Sequence, residues 1–206
     1  MINYNQKRKG LVGPPGLWEV KRDFQIKFLL SRGLKPEHYL LDIGCGVLRG
    51  GVPIIKYLDE GHYYGAEKNA KRLSEGIKEL SEAGQTGKNP HLTRDYETIN
   101  IKFDYIWSFQ VLIHLADEIL NNTLSKVGYF LKDAGACYAT VNIGPRTFRE
   151  SLKWMEYPVV HRPFSFYKKT ASQYNLTVDL VSDFKHKGLK NAMLKITKGS
   201  DAKASR

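Results

Sequence analysis

Leu41-Asp42-Ile43-Gly44-Cys45-Gly46 places an acid, two glycines and a thiol where an apolar run ends. Glycines at such a point let the backbone turn sharply and approach a ligand closely. In an open α/β sheet, ligands bind outside the carboxyl ends of the strands, so residues 42–46 are the candidate binding loop. The spacing differs from the dinucleotide fingerprint G-x-G-x-x-G, because Arg49 stands where its third glycine or alanine would be. A nicotinamide-dependent enzyme is thereby weakened but still open.

Other chemistries have less support. Cys45 and Cys137 are the two cysteines and offer no disulfide framework, so both are expected as free thiols. The six histidines are scattered without the short pair spacing of a zinc site, and no metal is expected. The net charge is +11, and from Arg146 onward there are 13 Lys and Arg against 5 Asp and Glu. That excess suits an anionic substrate, nucleic acid or a membrane surface, or else a solvated, solubilising face.

The candidate loop needs a scaffold. A chain of 206 residues, 42% hydrophobic and 26% charged, is expected to form one soluble domain over residues 17–198. Residues 1–16 read as a flexible lead-in and 199–206 as a disordered tail. No apolar run reaches the ~18 residues that span a bilayer. Lys7, Arg8 and Lys9 are followed by no apolar stretch of a secretory signal, so a cytoplasmic protein with no membrane contact is expected. Nothing in the sequence bears on its oligomeric state.

Leu17, Val20, Phe24, Ile26, Phe28, Leu29 and Leu30 predict an N-terminal helix with a wide apolar face, stopped by Gly33 and Pro36. Residues 39–43 predict a strand buried on both faces. A helix comes next on Leu48, Val52, Ile55 and Leu58, with Pro53 tolerated in its first turn. Residues 63–66 predict a second strand, and Asn69 caps a helix with a core face of Leu73, Ile77 and Leu80, ending near Gly84. A weaker strand lies at 91–94 and a strong one at 105–109. Asp117 is expected to cap a helix carrying Leu120, Leu124, Val127 and Leu131. Residues 136–143 form a strand and 164–174 a helix. Alternation at 176–180 and 192–196 around Gly188 then predicts a hairpin. Strands alternating with helices imply a mainly parallel α/β sheet of seven strands, with helices on both faces and one antiparallel C-terminal strand.

With this order in place, residues 41–46 resemble the first motif of class I S-adenosylmethionine-dependent methyltransferases, whose fold is Rossmann-like. Tyr64-Gly65-Ala66-Glu67 resembles the family's second strand with its ribose-binding acid, since one carboxylate can accept from two hydroxyls. Leu92-Thr93-Arg94-Asp95-Tyr96 resembles the third strand and the turn beside the adenine, and residues 103–115 resemble the fourth strand with the segment after it. The resemblance spans about residues 39–198. It implies that S-adenosyl-L-methionine binds, leaving S-adenosyl-L-homocysteine as product, at Asp42, Gly44, Cys45, Gly46, Arg49, Glu67, Asp95, Tyr96, Phe109 and Gln110. Arg49 would pair with the methionine carboxylate, or else stand exposed at a helix start.

Methyl transfer from a sulfonium is an in-line displacement whose rate can come largely from positioning. His114, just after the fourth strand, is the candidate general base, although it could equally cap the next helix or bond a backbone group. The least regular stretch, 144–167, is the expected cap over the acceptor. Trp18, Trp154, Tyr157, His161, Arg162 and Tyr167 are the candidate substrate contacts. The leading expectation is methylation of an O or N acceptor on a small molecule or sugar. A nucleic-acid methyltransferase using the basic C-terminal third is the alternative. A nicotinamide-dependent enzyme or a non-catalytic donor-binding protein is the alternative from another class.

Overall fold

The computed structural model describes residues 4–151, 157–185 and 191–199. The chain divides into two compact units, Met1–Ile101 and Lys102–Arg206.

The first unit runs α1 (Tyr4–Gly10), α2 (Trp18–Ser31), β1 (Leu40–Ile43), α3 (Gly51–Tyr57), β2 (Tyr63–Ala66), α4 (Ala70–Glu82) and β3 (His91–Thr93). β1 lies parallel to β2, with Leu40 opposite Tyr63 and Ile43 opposite Ala66. β2 lies parallel to β3, with Tyr64 opposite His91. Parallel neighbours need crossovers, and α3 and α4 provide them. All four residues of β1 are buried, as its continuous apolar pattern predicts.

Two helices pack differently from their apolar patterns. In α4 the Asn69 side chain accepts the Arg72 N–H at 3.1 Å, and Gly84 follows the helix at φ 66, as expected. The buried face, however, is Leu73, Gly76 and Leu80, and Ile77 is 48% exposed. A Cβ on Gly76 would lie 3.2 Å from the Gly46 carbonyl oxygen and the Val47 carbonyl carbon. The helix backbone therefore sits against the loop after β1, which turns Ile77 outward. In α2 the buried residues are Trp18, Lys21, Gln25, Phe28 and Leu29, whereas Val20 and Leu30 are exposed. The buried face keeps Phe28 and Leu29 of the apolar face read from sequence but also includes a lysine and a glutamine.

The segment expected to be a flexible lead-in contains α1, held by one buried arginine. Arg8 donates to Glu75 at 3.3 Å and to Glu79 and Glu82 at 2.7 Å, all on α4.

The second unit runs β4 (Phe103–Ser108), α5 (Asp117–Phe130), β5 (Leu131–Ile143), β6 (Phe148–Glu150), β7 (Val159–Arg162), α6 (Phe164–Ser172), β8 (Leu176–Leu180) and β9 (Ala192–Lys198). β4 is parallel to β5, while β9 is antiparallel to both β5 and β8. The antiparallel C-terminal pair therefore forms as predicted, but its turn, 186–190, lies outside the described residues. Asn142 and Ile143 at the end of β5 also pair with His161 and Arg162 of β7, and β6 pairs antiparallel with β7. These two short strands, inside the stretch expected to be irregular, are additional to the seven predicted. α5 buries Leu120, Leu124, Val127 and Phe130. Its cap is Ala116 rather than Asp117, which stands in the first turn and gives its carboxylate to Arg162. No helix among the described residues is long and apolar enough to cross a membrane.

Candidate functional site

In the first unit the loop after β1 is a backbone cradle. Gly44 and Gly46 have φ values of 74 and 59, the left-handed region that glycine enters without steric cost. The N–H groups of Gly44 and Cys45 both donate to the Ala66 carbonyl, at 2.8 and 3.2 Å, tying the loop to the end of β2. The next residue, Glu67, accepts the Gly46 N–H at 3.1 Å and the Asn69 N–H at 2.8 Å. Its own N–H donates to the Thr93 carbonyl at 3.0 Å. Three strand ends thus meet at Glu67, whose carboxylate holds the loop after β1 and whose backbone N–H holds the end of β3. Val12 covers the loop, its Cγ1 lying 3.1 Å from where a Gly46 Cβ would stand.

Beneath the cradle, Asp42 is buried and accepts the Tyr63 hydroxyl at 2.6 Å. Burial pushes its carboxyl up to about 7, with the Tyr63 hydrogen bond opposing and the Glu67 charge adding to the rise. Burial likewise raises the Cys45 thiol well above its ordinary value, helped by the Asp42 and Glu67 charges, so it is no ready nucleophile. Asp42 and Cys45 support the loop from below. After β3, Asp95 is exposed in a turn whose carbonyl accepts the hydroxyls of Thr93 and Thr98 at 3.0 and 2.8 Å. Burial holds the Tyr96 hydroxyl above the usual tyrosine range.

Arg49 is buried rather than exposed at a helix start. It donates to the Val12 carbonyl at 3.0 Å, and its guanidinium lies 6.0 Å from the Trp18 ring. Trp18, expected on the substrate, is itself buried in this unit between Arg49 and Lys9, whose Nζ is 5.5 Å from the ring.

In the second unit Phe109 is buried and stacked on Trp107, with ring centroids 5.6 Å apart. Gln110 has φ 62 and donates its N–H to Thr140 Oγ1 at 2.6 Å. Its side-chain amide donates to Asn191 Oδ1 at 2.9 Å, and Asn191 donates in turn to Asn142. Asn142 and Asn191, a polar pair where β5 meets β9, were not singled out from sequence. The signal there was Asn142 breaking the apolar run of β5, with Asn191 immediately before β9.

His114 is half-buried in a 3₁₀ turn, with Nδ1 3.1 Å from the Pro158 carbonyl and its ring 6.3 Å from that of Tyr157. These two candidates are brought together. His161 faces elsewhere: it stacks on Phe148 at 4.3 Å and its Nε2 lies 3.1 Å from Glu150. Arg162 and Tyr167, the other expected substrate contacts in this unit, are 0% and 1% exposed. The Arg162 guanidinium is occupied by Asp117 and the Leu115 carbonyl, because a buried cation needs such partners. Trp154 lies outside the described residues.

The fold is that of the S-adenosylmethionine-dependent methyltransferases. Magnesium protoporphyrin IX methyltransferase from Synechocystis PCC 6803, with bound S-adenosylmethionine, is 16% identical with a TM-score of 0.65, over 97% of this chain and 86% of that one. A methyltransferase from Clostridium acetobutylicum ATCC 824 is 15% identical at 0.65, over 89% and 92% of the two chains. The CcbJ methyltransferase from Streptomyces caelestis is 10% identical at 0.67, over 91% and 92%. No protein-family model matches the chain.

Proposed function

We propose that this chain is a class I S-adenosylmethionine-dependent methyltransferase acting on an oxygen or nitrogen of a small molecule or sugar. The observation that carries the reading is the hydrogen bond from Gly46 N–H to Glu67, which fixes a carboxylate beside a glycine cradle. A carboxylate has about four lone-pair positions. Two are used by Gly46 and Asn69, which leaves capacity for a ribose diol. Asp95 and Tyr96 follow β3, where the family's adenine turn falls. Magnesium protoporphyrin IX, named for the similar Synechocystis enzyme, is a small molecule, which supports that acceptor class.

When bound, S-adenosylmethionine would supply a sulfonium methyl for in-line transfer to the acceptor, with S-adenosylhomocysteine as the leaving product. Residues 44–46, Glu67 and Arg49 bind and orient. His114 receives the acceptor's proton at Nε2, a role supported by its other ring nitrogen facing the Pro158 carbonyl. A neutral imidazole that donates Nδ1–H carries its basic lone pair on Nε2.

Thermal unfolding with S-adenosylmethionine, S-adenosylhomocysteine, NAD or NADP tests the reading. Saturation at about 100 times the dissociation constant stabilises a fold by about 2.7 kcal/mol. The first two ligands should raise the melting temperature and the dinucleotides should not; the reverse pattern would establish the nicotinamide alternative. A metabolite screen with methyl-labelled donor then identifies the acceptor.

A further inference from the structure

The inward face of α2 carries Trp18, Lys21, Gln25 and Phe28, with the lysine and glutamine at positions an amphipathic helix gives to apolar residues. Lys21 and Arg49 are 6% and 7% exposed. Lys21 Nζ lies 3.9 Å from where a Cβ on Gly13 would stand, and Arg49 binds the carbonyl of the preceding residue, Val12. Both cations therefore meet the same two-residue stretch of backbone.

Among the described residues neither cation has a carboxylate partner. The unit's nearby acids are engaged elsewhere: Asp42 by Tyr63, Glu67 by Gly46 and Asn69, Glu75, Glu79 and Glu82 by Arg8, and Glu19 by Lys9. Arg49 Nε is buried and has no hydrogen-bond partner. Two like charges withdrawn from water without a counter-ion are costly, since buried charges are ordinarily paired. The strain shows in both groups: burial, then the charge of Arg49, lowers Lys21 to about 8, and burial lowers Arg49 to about 10. Where sequence-level packing rules fail inside a well-formed helix, a functional site is the usual reason.

We propose that Lys21 and Arg49 together form a carboxylate-binding site beside the Trp18 ring, with Lys21 supplying the second cation. This deepens the reading of residues 44–46 as a donor loop, because Arg49 belongs to the same loop. The carboxylate comes from the donor's amino-acid end or from a separate acid, and these sources are separable by experiment.

The full chain is titrated calorimetrically with S-adenosylhomocysteine and with 5′-methylthioadenosine, which lacks the amino-acid end. Lys21→Gln should weaken the first by about 10- to 100-fold and leave the second unchanged, and Lys21→Arg should restore most of the loss. In parallel, the Lys21 Nζ titration is followed by NMR in isotope-labelled wild type, alone, with S-adenosylhomocysteine and with acetate. Its midpoint should move up towards that of an ordinary lysine when the site fills. Acetate raising it while Lys21→Gln spares both nucleosides would confirm the two-cation site and assign its ligand to a separate acid. Were neither nucleoside to bind wild type, the donor reading would fail, and acetate would still decide the site. A Lys21 midpoint unmoved by either carboxylate, with S-adenosylhomocysteine affinity unchanged in Lys21→Gln, overturns the proposal.

Discussion

Tyr63 on β2 donates its hydroxyl to the carboxylate of Asp42 on β1 at 2.6 Å, directly beneath the loop that carries Gly44 and Gly46. The two side chains reach across adjacent parallel strands, and both are buried. The bond holds the cradle from below, and it leaves an acid where ionisation is costly.

That cost has a direction. Asp42 is raised from 3.8 to about 7 in the folded chain, so the folded state favours its proton. The stability contributed by that proton is complete below about pH 4 and is lost as pH rises through 7. A difference of about three pKa units corresponds to about 4 kcal/mol as an upper bound. Asp42→Asn keeps an acceptor for Tyr63 and removes the titration, so its stability advantage over wild type should be larger at pH 8 than at pH 5. Guanidinium unfolding at both values measures it; a difference independent of pH would show that Asp42 does not titrate in this range.

Gly76 offers a test in which two ordinary effects oppose. In an exposed helix interior, Gly→Ala stabilises by about 1 kcal/mol. Here the added methyl would meet the backbone of Gly46 and Val47 at 3.2 Å, which cannot move aside as a side chain can. Gly76→Ala is expected to destabilise the chain by about 1–3 kcal/mol. It should also weaken S-adenosylhomocysteine binding, since the clash falls on the backbone of the candidate binding loop. Urea unfolding that shows net stabilisation would mean that α4 does not rest on the loop.

Once the acceptor is known, His114→Ala should lower turnover by about 10²- to 10⁴-fold with donor affinity nearly intact. Near-normal turnover at saturating acceptor would remove the base role and leave positioning as the source of rate.

Local chemistry was the most legible part of the chain. Asn69 and Gly84 bracket α4 because their preferences act through bonds and dihedrals within one turn. The turn after β1 was equally plain, since left-handed turns at Gly44 and Gly46 favour glycine. Packing decisions made by distant residues could not be read. Gly76 displaces Ile77 from the core only because a loop thirty residues earlier in sequence approaches it. Lys21 and Gln25 on α2 are buried, and nothing local signals it. β6 is three exposed residues long, too short for an alternating pattern to be visible. The burial of Arg162 and Tyr167 was equally hidden, because it depends on α5 and β7 meeting through the Asp117–Arg162 pair.

The most direct test of the central claim is calorimetric titration of wild type and Glu67→Ala with S-adenosylhomocysteine. The account predicts binding by wild type and a loss of about 10- to 150-fold in the variant, as expected for charge-assisted hydrogen bonds worth about 1.5–3 kcal/mol. Equal affinity in the two proteins, with the variant folded, would contradict it.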